Sequence, residues 1–280
     1  MGRWISTQRV RRAVAWQRRA AGRFDPSGFP RDVRFVGGAD IAFCPPDAQC
    51  VSGRCGGMGC MAVGVAAVWE LQSQKICEVR CAFRRIKFPY IPGLLSFREA
   101  PLLLPAMRLI RNKVDVWMFD GQGISHPRGC GLATHMGIVA NICSVGVAKS
   151  LLCGVCDQPP TAVGDAAPVV FEGRIVSQAL RTVATAPPVY VSQGNRCTLP
   201  QALALAQACA GGSRLPEPTH IADLLSKELR LMAPAAARAR IRLLVNGGGQ
   251  AAVAGASKSG IMLRAERSVT QRRGVAANNN

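Results

Sequence analysis

Residues Val114–Pro127 read VDVWMFDGQGISHP. The first half, Val114 to Phe119, is an apolar run of strand length. It ends on Asp120, and Gly121 and Gly123 follow at once. A short apolar run bounded by turn residues suits a strand buried on both faces, as in a mostly parallel sheet. The carboxylate then lies where a buried strand opens into a glycine loop, and open α/β sheets place ligands outside the carboxyl ends of their strands. His126, Pro127 and Arg128 come next, so one loop carries a carboxylate, an imidazole and a guanidinium. An Asp after a strand also serves as a turn former or helix cap. Asp120 therefore gains chemical meaning only from the rest of the chain.

Upstream, RFVGGADIAF reads as a first strand with Asp40 in its apolar second half, and CMAVGVAAVWEL and QKICEVRCAFRRI read as the next two strands. The prolines of FPYIPG forbid regular structure, after which a helix is expected from about Ser96 to Ile110. Ser96 with Glu99 three residues on is a capping-box pattern, which gives Glu99 an ordinary structural explanation as well. Downstream, LATHMGIVANI is an amphipathic helix and CSVGVAKSLL a short buried strand. VVFEGRIVSQALR and PPVYVSQGNR read as two further strands. LPQALALAQACA is a helix stopped by Gly211–Gly212, and RLPEPTHIADLLSKEL begins another. An antiparallel start followed by alternation of strands and helices predicts one α/β domain with a mixed sheet over residues 25–232.

The two ends differ in texture. Residues 1–24 hold no acid and many arginines, lack the apolar core of a secretory signal, and predict a basic amphipathic helix with Val10, Val14 and Trp16 partly inward. The same stretch loosely fits a mitochondrial transit peptide, and MGRWIS fits the myristoylation pattern. Residues 233–280 read as a basic low-complexity tail, with one helix over 234–245 and the remainder expected to be disordered. Across 280 residues, 35 Lys+Arg against 16 Asp+Glu give a net charge of +19, and such a surplus points to a polyanionic partner, nucleic acid above all. No apolar run approaches the about 18 residues of a membrane-spanning helix. The 12 cysteines do not resemble a small secreted disulfide scaffold. Cys44, Cys50, Cys55 and Cys60 are spaced more widely than a zinc knuckle, and no second pair faces Cys153 and Cys156. Reduced thiols in a cytoplasmic protein are the expectation.

Three carboxylates thus occupy comparable settings: Asp40 in a buried strand, Glu99 at a helix start and Asp120 at a strand end. A buried Asp is costly unless paired or bound to metal. Clustered carboxylates suit hard cations such as Mg²⁺. In a basic protein this points to metal-assisted phosphodiester hydrolysis, with Lys149 adding positive charge beside the phosphate. There is no P-loop, no GxSxG and no HExxH.

The strings VGGADIAF, PYIPGLLSFREAP, VDVWMFDGQGISHPR, GLATHMGIV, SVGVAKSLL, PVYVSQGNR and RLPEPTHIADLL together resemble the endonuclease V family, in family order, over roughly residues 8–225. The resemblance implies a ribonuclease H-like mixed central sheet flanked by helices. It also implies an acidic metal centre of Asp40, Glu99 and Asp120, loaded with Mg²⁺ or, in substitution, Mn²⁺. His126 and Lys149 would support the phosphate or the attacking water, and Asp223 matches a position near the metals. Tyr90 matches a wedge that enters the duplex beside the lesion. An aromatic ring there replaces lost stacking, while Gly93 and Gly131 let the backbone approach an extruded base. Leu95 and Ser192 complete the substrate-contacting set; Ser192 equally reads as the end of a strand.

The implied reaction is recognition of deoxyinosine in DNA and hydrolysis of the second phosphodiester bond 3′ to it, leaving a 3′-hydroxyl and a 5′-phosphate, by a monomer with no membrane partner. The alternatives are a nuclease for inosine-containing RNA or branched DNA, or a non-catalytic nucleic-acid binder on the same fold. Gln122, Gln193 and Asn195 depart from the family pattern, and His135 reads as a satisfied helix histidine rather than a ligand.

Overall fold

The computed structural model describes residues 6–47 and 56–246. β1 (Phe35–Phe43), β2 (Met61–Glu70) and β3 (Lys75–Arg85) form an antiparallel meander. The free edge of β1 takes β4 (Val116–Phe119) in parallel, and β5 (Ser144–Ala148) continues parallel beyond it. β8 (Val189–Asn195), β7 (Arg174–Leu180) and β6 (Ala166–Phe171) then add antiparallel, so the sheet runs β3-β2-β1-β4-β5-β8-β7-β6. This is the mixed sheet flanked by helices that the sequence predicts.

All four residues of β4 are buried because helices cover both faces. On one side α2 (Leu95–Arg108) and α3 (Leu132–Ala140) pack through Leu103, Ala106, Leu132 and Met136 onto Ala39, Ala66, Trp117 and Phe119. On the other side Ala202 and Leu205 of α4 (Leu199–Ala208) meet Val36, Val116 and Met118. Beside them, Ile221 and Leu225 of α5 (Glu217–Leu229) cover Val63 and Val65. The first helix, α1 (Thr7–Ala21), is capped by the Ser6 hydroxyl and buries Ala13, Gln17 and Ala20, while Val10, Val14 and Trp16 are half-buried as expected.

Four sequence expectations need correction or completion. VVFEGRIVSQALR is not one strand but the two arms of the β6–β7 hairpin. Phe171 pairs with Arg174 across Glu172 and Gly173, which both adopt positive φ (50° and 74°), the geometry of a tight two-residue hairpin turn. The capping box at Ser96 is not formed. The helix begins one residue earlier with Leu94 as its cap, so Ser96 lies inside the first turn and its hydroxyl bonds His135 Nδ1 at 3.1 Å. Cys60 is disulfide-bonded rather than reduced, whereas Cys153 and Cys156 are free thiols. The expected helix at the start of the tail is α6 (Pro234–Asn246), and its Ala237, Ile241 and Leu244 are buried against the β2–β3 face. The rest of the tail, the myristoylation pattern at residues 1–5, and Cys50 and Cys55 lie outside the described residues.

Candidate active site

Parallel pairing aligns Ala39 with Phe119, so the next residues, Asp40 and Asp120, emerge side by side from neighbouring strands. Two glycines let helices come close enough to complete the cluster. A Cβ on Gly38 would lie 1.7 Å from the Pro218 carbonyl oxygen, so α5 presses directly on β1. A Cβ on Gly64 would lie 2.3 Å from the Leu102 carbonyl oxygen, so α2 does the same on β2. From α5, the Ser226 hydroxyl donates to Asp40 Oδ2 at 2.8 Å, and Asp223 enters beside it. From α2 comes Glu99, whose buried carboxyl lies within electrostatic reach of both Asp40 and Asp120.

The electrostatics are those of crowded carboxylates. Burial first, and then Asp120 and Asp223, push Asp40 up to about 6 against the opposing Ser226 hydrogen bond. Burial, followed by Asp40 and Asp120, pushes Glu99 up to about 8. Asp120 is also raised by burial, partly offset by Lys149. The ammonium of Lys149 stands 2.5 Å from Asp120 Oδ2 and 2.8 Å from Asp223 Oδ1, and Lys227 Nζ lies 2.5 Å from Asp223 Oδ2. Burial works against the Lys149 charge, yet Asp120 and Asp223 hold it above the ordinary lysine value. Burial likewise raises Asp223, but the two lysines outweigh it and leave this carboxyl below its ordinary value. Among the described residues no group of three His, Cys, Asp or Glu side chains converges closely enough to hold an ion by itself. The donor set is nonetheless all oxygen, and its mutual repulsion is relieved by protonation of Glu99 or by bound cations.

Beside this cluster lies a cavity of about 130 Å³, a size for one planar ring system, walled by Tyr90, Gly93, Leu95, Gln122, His126 and Gly131. Tyr90 stands at its lip, 67% exposed, which is unusual for a large aromatic side chain and leaves its ring free to meet a partner. Gly93 adopts φ +74°, a conformation that strains any residue with a Cβ, and a Cβ there would lie 2.6 Å from an Arg128 guanidinium nitrogen, so glycine suits this turn. Its carbonyl oxygen meets His126 Nε2 at 3.0 Å and Arg128 Nη2 at 2.6 Å. The Arg128 backbone N–H donates to His126 Nδ1 at 3.0 Å, which places the ring proton on Nε2. Burial pushes this histidine down to about 4, so it is a neutral donor at physiological pH.

The structure thus brings Asp40, Glu99, Asp120, Lys149 and Asp223 together and gathers Tyr90, Gly93, Leu95, His126 and Gly131 around the neighbouring cavity. His126 belongs to the second group: its ring nitrogens are engaged by Gly93 and Arg128. Ser192 is fully buried in β8, where its hydroxyl accepts the Gly123 N–H at 2.8 Å; it fixes the glycine loop and does not face the cavity. Gln122 donates to the Ser150 carbonyl, and its Oε1 is buried without a hydrogen-bond partner among the described residues. Asn195 ties the segment after α1 to the end of α3, accepting from the Asp25 N–H and donating to the Gly137 and Ile142 carbonyls. Gln17, Ser226 and Lys227 escape the sequence reading. Lys227 stands four residues after Asp223 on one helix face, and Gln17 falls on the inward stripe of α1 with Val10, Ala13 and Val14; both spacings were available as signals.

Comparison with known proteins places the chain in a family. A family model described as Endonuclease V matches residues 23–224. Endonuclease V of Trichormus variabilis is 40% identical over 198 residues, covering 71% of this chain and 84% of the relative. The crystal structure of Streptomyces avermitilis Endonuclease V superposes with a TM-score of 0.69 at 32% identity, covering 81% of this chain and 94% of that one. That of Ciona intestinalis Endonuclease V, in complex with a 24mer DNA containing an inosine followed by a ribo-adenosine, shares the fold with a TM-score of 0.67 at 22% identity, covering 80% and 98%. On its motifs, its sheet order and these matches together, the chain belongs to the endonuclease V family and is an endonuclease.

Proposed function

We propose that this chain nicks DNA at deoxyinosine, hydrolysing the second phosphodiester bond 3′ to the lesion and leaving a 3′-hydroxyl and a 5′-phosphate, with Mg²⁺ as cofactor and Mn²⁺ able to replace it. The observation that carries the reading is the placement of an all-oxygen carboxylate cluster beside a cavity sized for one base, with Tyr90 exposed at its lip. Asp40, Glu99 and Asp120 would hold the metal, with Asp223 as a further candidate. A bound Mg²⁺ would supply an activated water and charge to stabilise the leaving oxygen.

The chain's own groups do the remaining work. Lys149, kept charged by Asp120 and Asp223, offers a cation to the scissile phosphate. Ser226 orients Asp40 from behind. Neutral His126 stiffens the Gly93 turn, so that backbone groups meet the extruded base in a fixed geometry. Tyr90 fills the gap left in the stack.

The inosine-directed endoribonuclease stands as a second reading, because the Ciona relative was captured with a ribo-adenosine after its inosine. The test is nicking of end-labelled duplexes carrying one deoxyinosine, or one inosine in RNA, with Mg²⁺ and with EDTA. A Mg²⁺-dependent cut one nucleotide beyond deoxyinosine is expected. A cut confined to RNA would install the second reading, and binding without any cut would overturn both.

A further inference from the structure

Gln17 is 1% exposed in the middle of a helix whose outer face is arginine-rich and whose inner face is otherwise small and apolar. A buried amide is costly unless its hydrogen bonds are made, and here they are. Nε2 donates to the Gly93 carbonyl at 2.9 Å and to the Cys130 carbonyl at 3.0 Å, while Oε1 accepts from Arg128 Nε at 2.7 Å. These partners come from two segments: the Tyr90–Gly93 turn, and the loop His126–Gly131, which supplies both the Arg128 guanidinium and the Cys130 carbonyl. Gly93 and Gly131 stand on the cavity wall, and Gln17 itself lines it.

We propose that Gln17 is the positioning residue that sets the spacing of the base cavity, making α1 part of the lesion-reading apparatus rather than an appended basic helix. Two hydrogens on one planar NH₂ group diverge at a fixed angle, so a single amide holds the Gly93 and Cys130 carbonyls at a set separation. Its oxygen, by holding Arg128, fixes the guanidinium that also braces Gly93. His126 and Arg128 also bond the Gly93 carbonyl, but among the described hydrogen bonds no other side chain contacts Gly93, Arg128 and Cys130 together. The inference rests on the deoxyinosine reading above.

The experiment uses the full chain carrying Asp120→Asn, which blocks cutting, and two labelled duplexes: one with a single deoxyinosine and one with an abasic site in its place. Gln17→Met, which preserves the side-chain volume, is expected to weaken binding to the deoxyinosine duplex about tenfold, the order of one or two lost hydrogen bonds, and to leave the abasic duplex within about twofold. Gln17→Glu keeps the acceptor for Arg128 but sets a carboxylate against two carbonyls, and should lose the same discrimination. Thermal melts of both variants show which are folded, and either one alone suffices. In cutting-competent protein the loss should appear in KM for the deoxyinosine duplex more than in kcat. Equal weakening on both duplexes in a folded variant, or none, would overturn the positioning role alone. Equal affinity of the Gln17-containing protein for both duplexes would overturn the deoxyinosine reading, and the positioning role with it.

Discussion

Replacing Glu99 with glutamine should stabilise the metal-free protein relative to the parent, by an amount that grows as pH rises from about 4.5 to about 8. The carboxyl of Glu99 is pushed from an ordinary 4.5 up to about 8, first by burial and then by Asp40 and Asp120. The folded protein therefore keeps a proton there that the unfolded chain releases. By linkage this stability is fully present below about pH 4.5 and is lost as pH rises through about 8. Between about pH 5.5 and pH 8.5, roughly two and a half pH units of that window are crossed at about 1.4 kcal/mol each, a loss of about 3 kcal/mol from this one group. The amide of the Glu99→Gln variant does not titrate. Urea unfolding in EDTA at the two pH values should therefore show Glu99→Gln gaining about 3 kcal/mol on the parent between them, while losing cleavage activity. Mg²⁺ at the higher pH should narrow the gap by stabilising the parent more than the variant. A gap that is the same at both pH values, or a parent that grows more stable toward pH 8.5, would refute the picture of carboxylates held together against their own repulsion.

Two further outcomes follow from features described above. Tyr90→Ala should lower the preference for a deoxyinosine duplex over an undamaged one about tenfold, the order of one lost stacking contact, with affinity for undamaged DNA nearly unchanged; equal losses in a competition binding assay would remove the wedge role. Leu244→Ala, in α6, should cost about 3 kcal/mol of unfolding free energy because the side chain is buried against the sheet. A cost below about 0.5 kcal/mol by urea titration would mean that α6 contributes nothing to the core.

Much of the sheet was legible because its strands carry strong local signals. The apolar runs around Asp40 and Asp120 and the alternation in β3 identify strands without reference to anything distant. Register was not legible: Asp40 lies within β1 and Asp120 just past β4, and only folding aligns Ala39 with Phe119. The β6–β7 turn was not legible because Glu172 occupies a positive-φ position where Asn or Asp would have announced a hairpin. The capping box misled for a related reason. Ser96 and Glu99 have the right spacing, but tertiary partners on α3 and in the acidic cluster claim both side chains. His126 had the right address and a different set of contacts: loop proximity to Asp120 is visible in sequence, whereas the 33-residue separation from Gly93 is closed only by folding. Gln17 is the extreme case, with partners 76 and 113 residues away.

The thin docking of α1 has a thermal consequence. Ala13 and Ala20 remove little apolar surface from water, and α1 docks through a small cluster of Ala13, Val10 and Val14 with Phe88 and Leu94, through the Gln17 hydrogen bonds, and through the Trp16 ring against Phe97 and His135. The acidic centre, by contrast, rests on β1 and β4 in the middle of the sheet. Segments with few buried contacts detach in sub-global openings well below the temperature at which the core melts. If Gln17 sets the base cavity as proposed, selectivity is the first faculty expected to fade on warming: a chain whose N-terminal helix has let go would still carry its acidic cluster, now without the brace on the Gly93 turn.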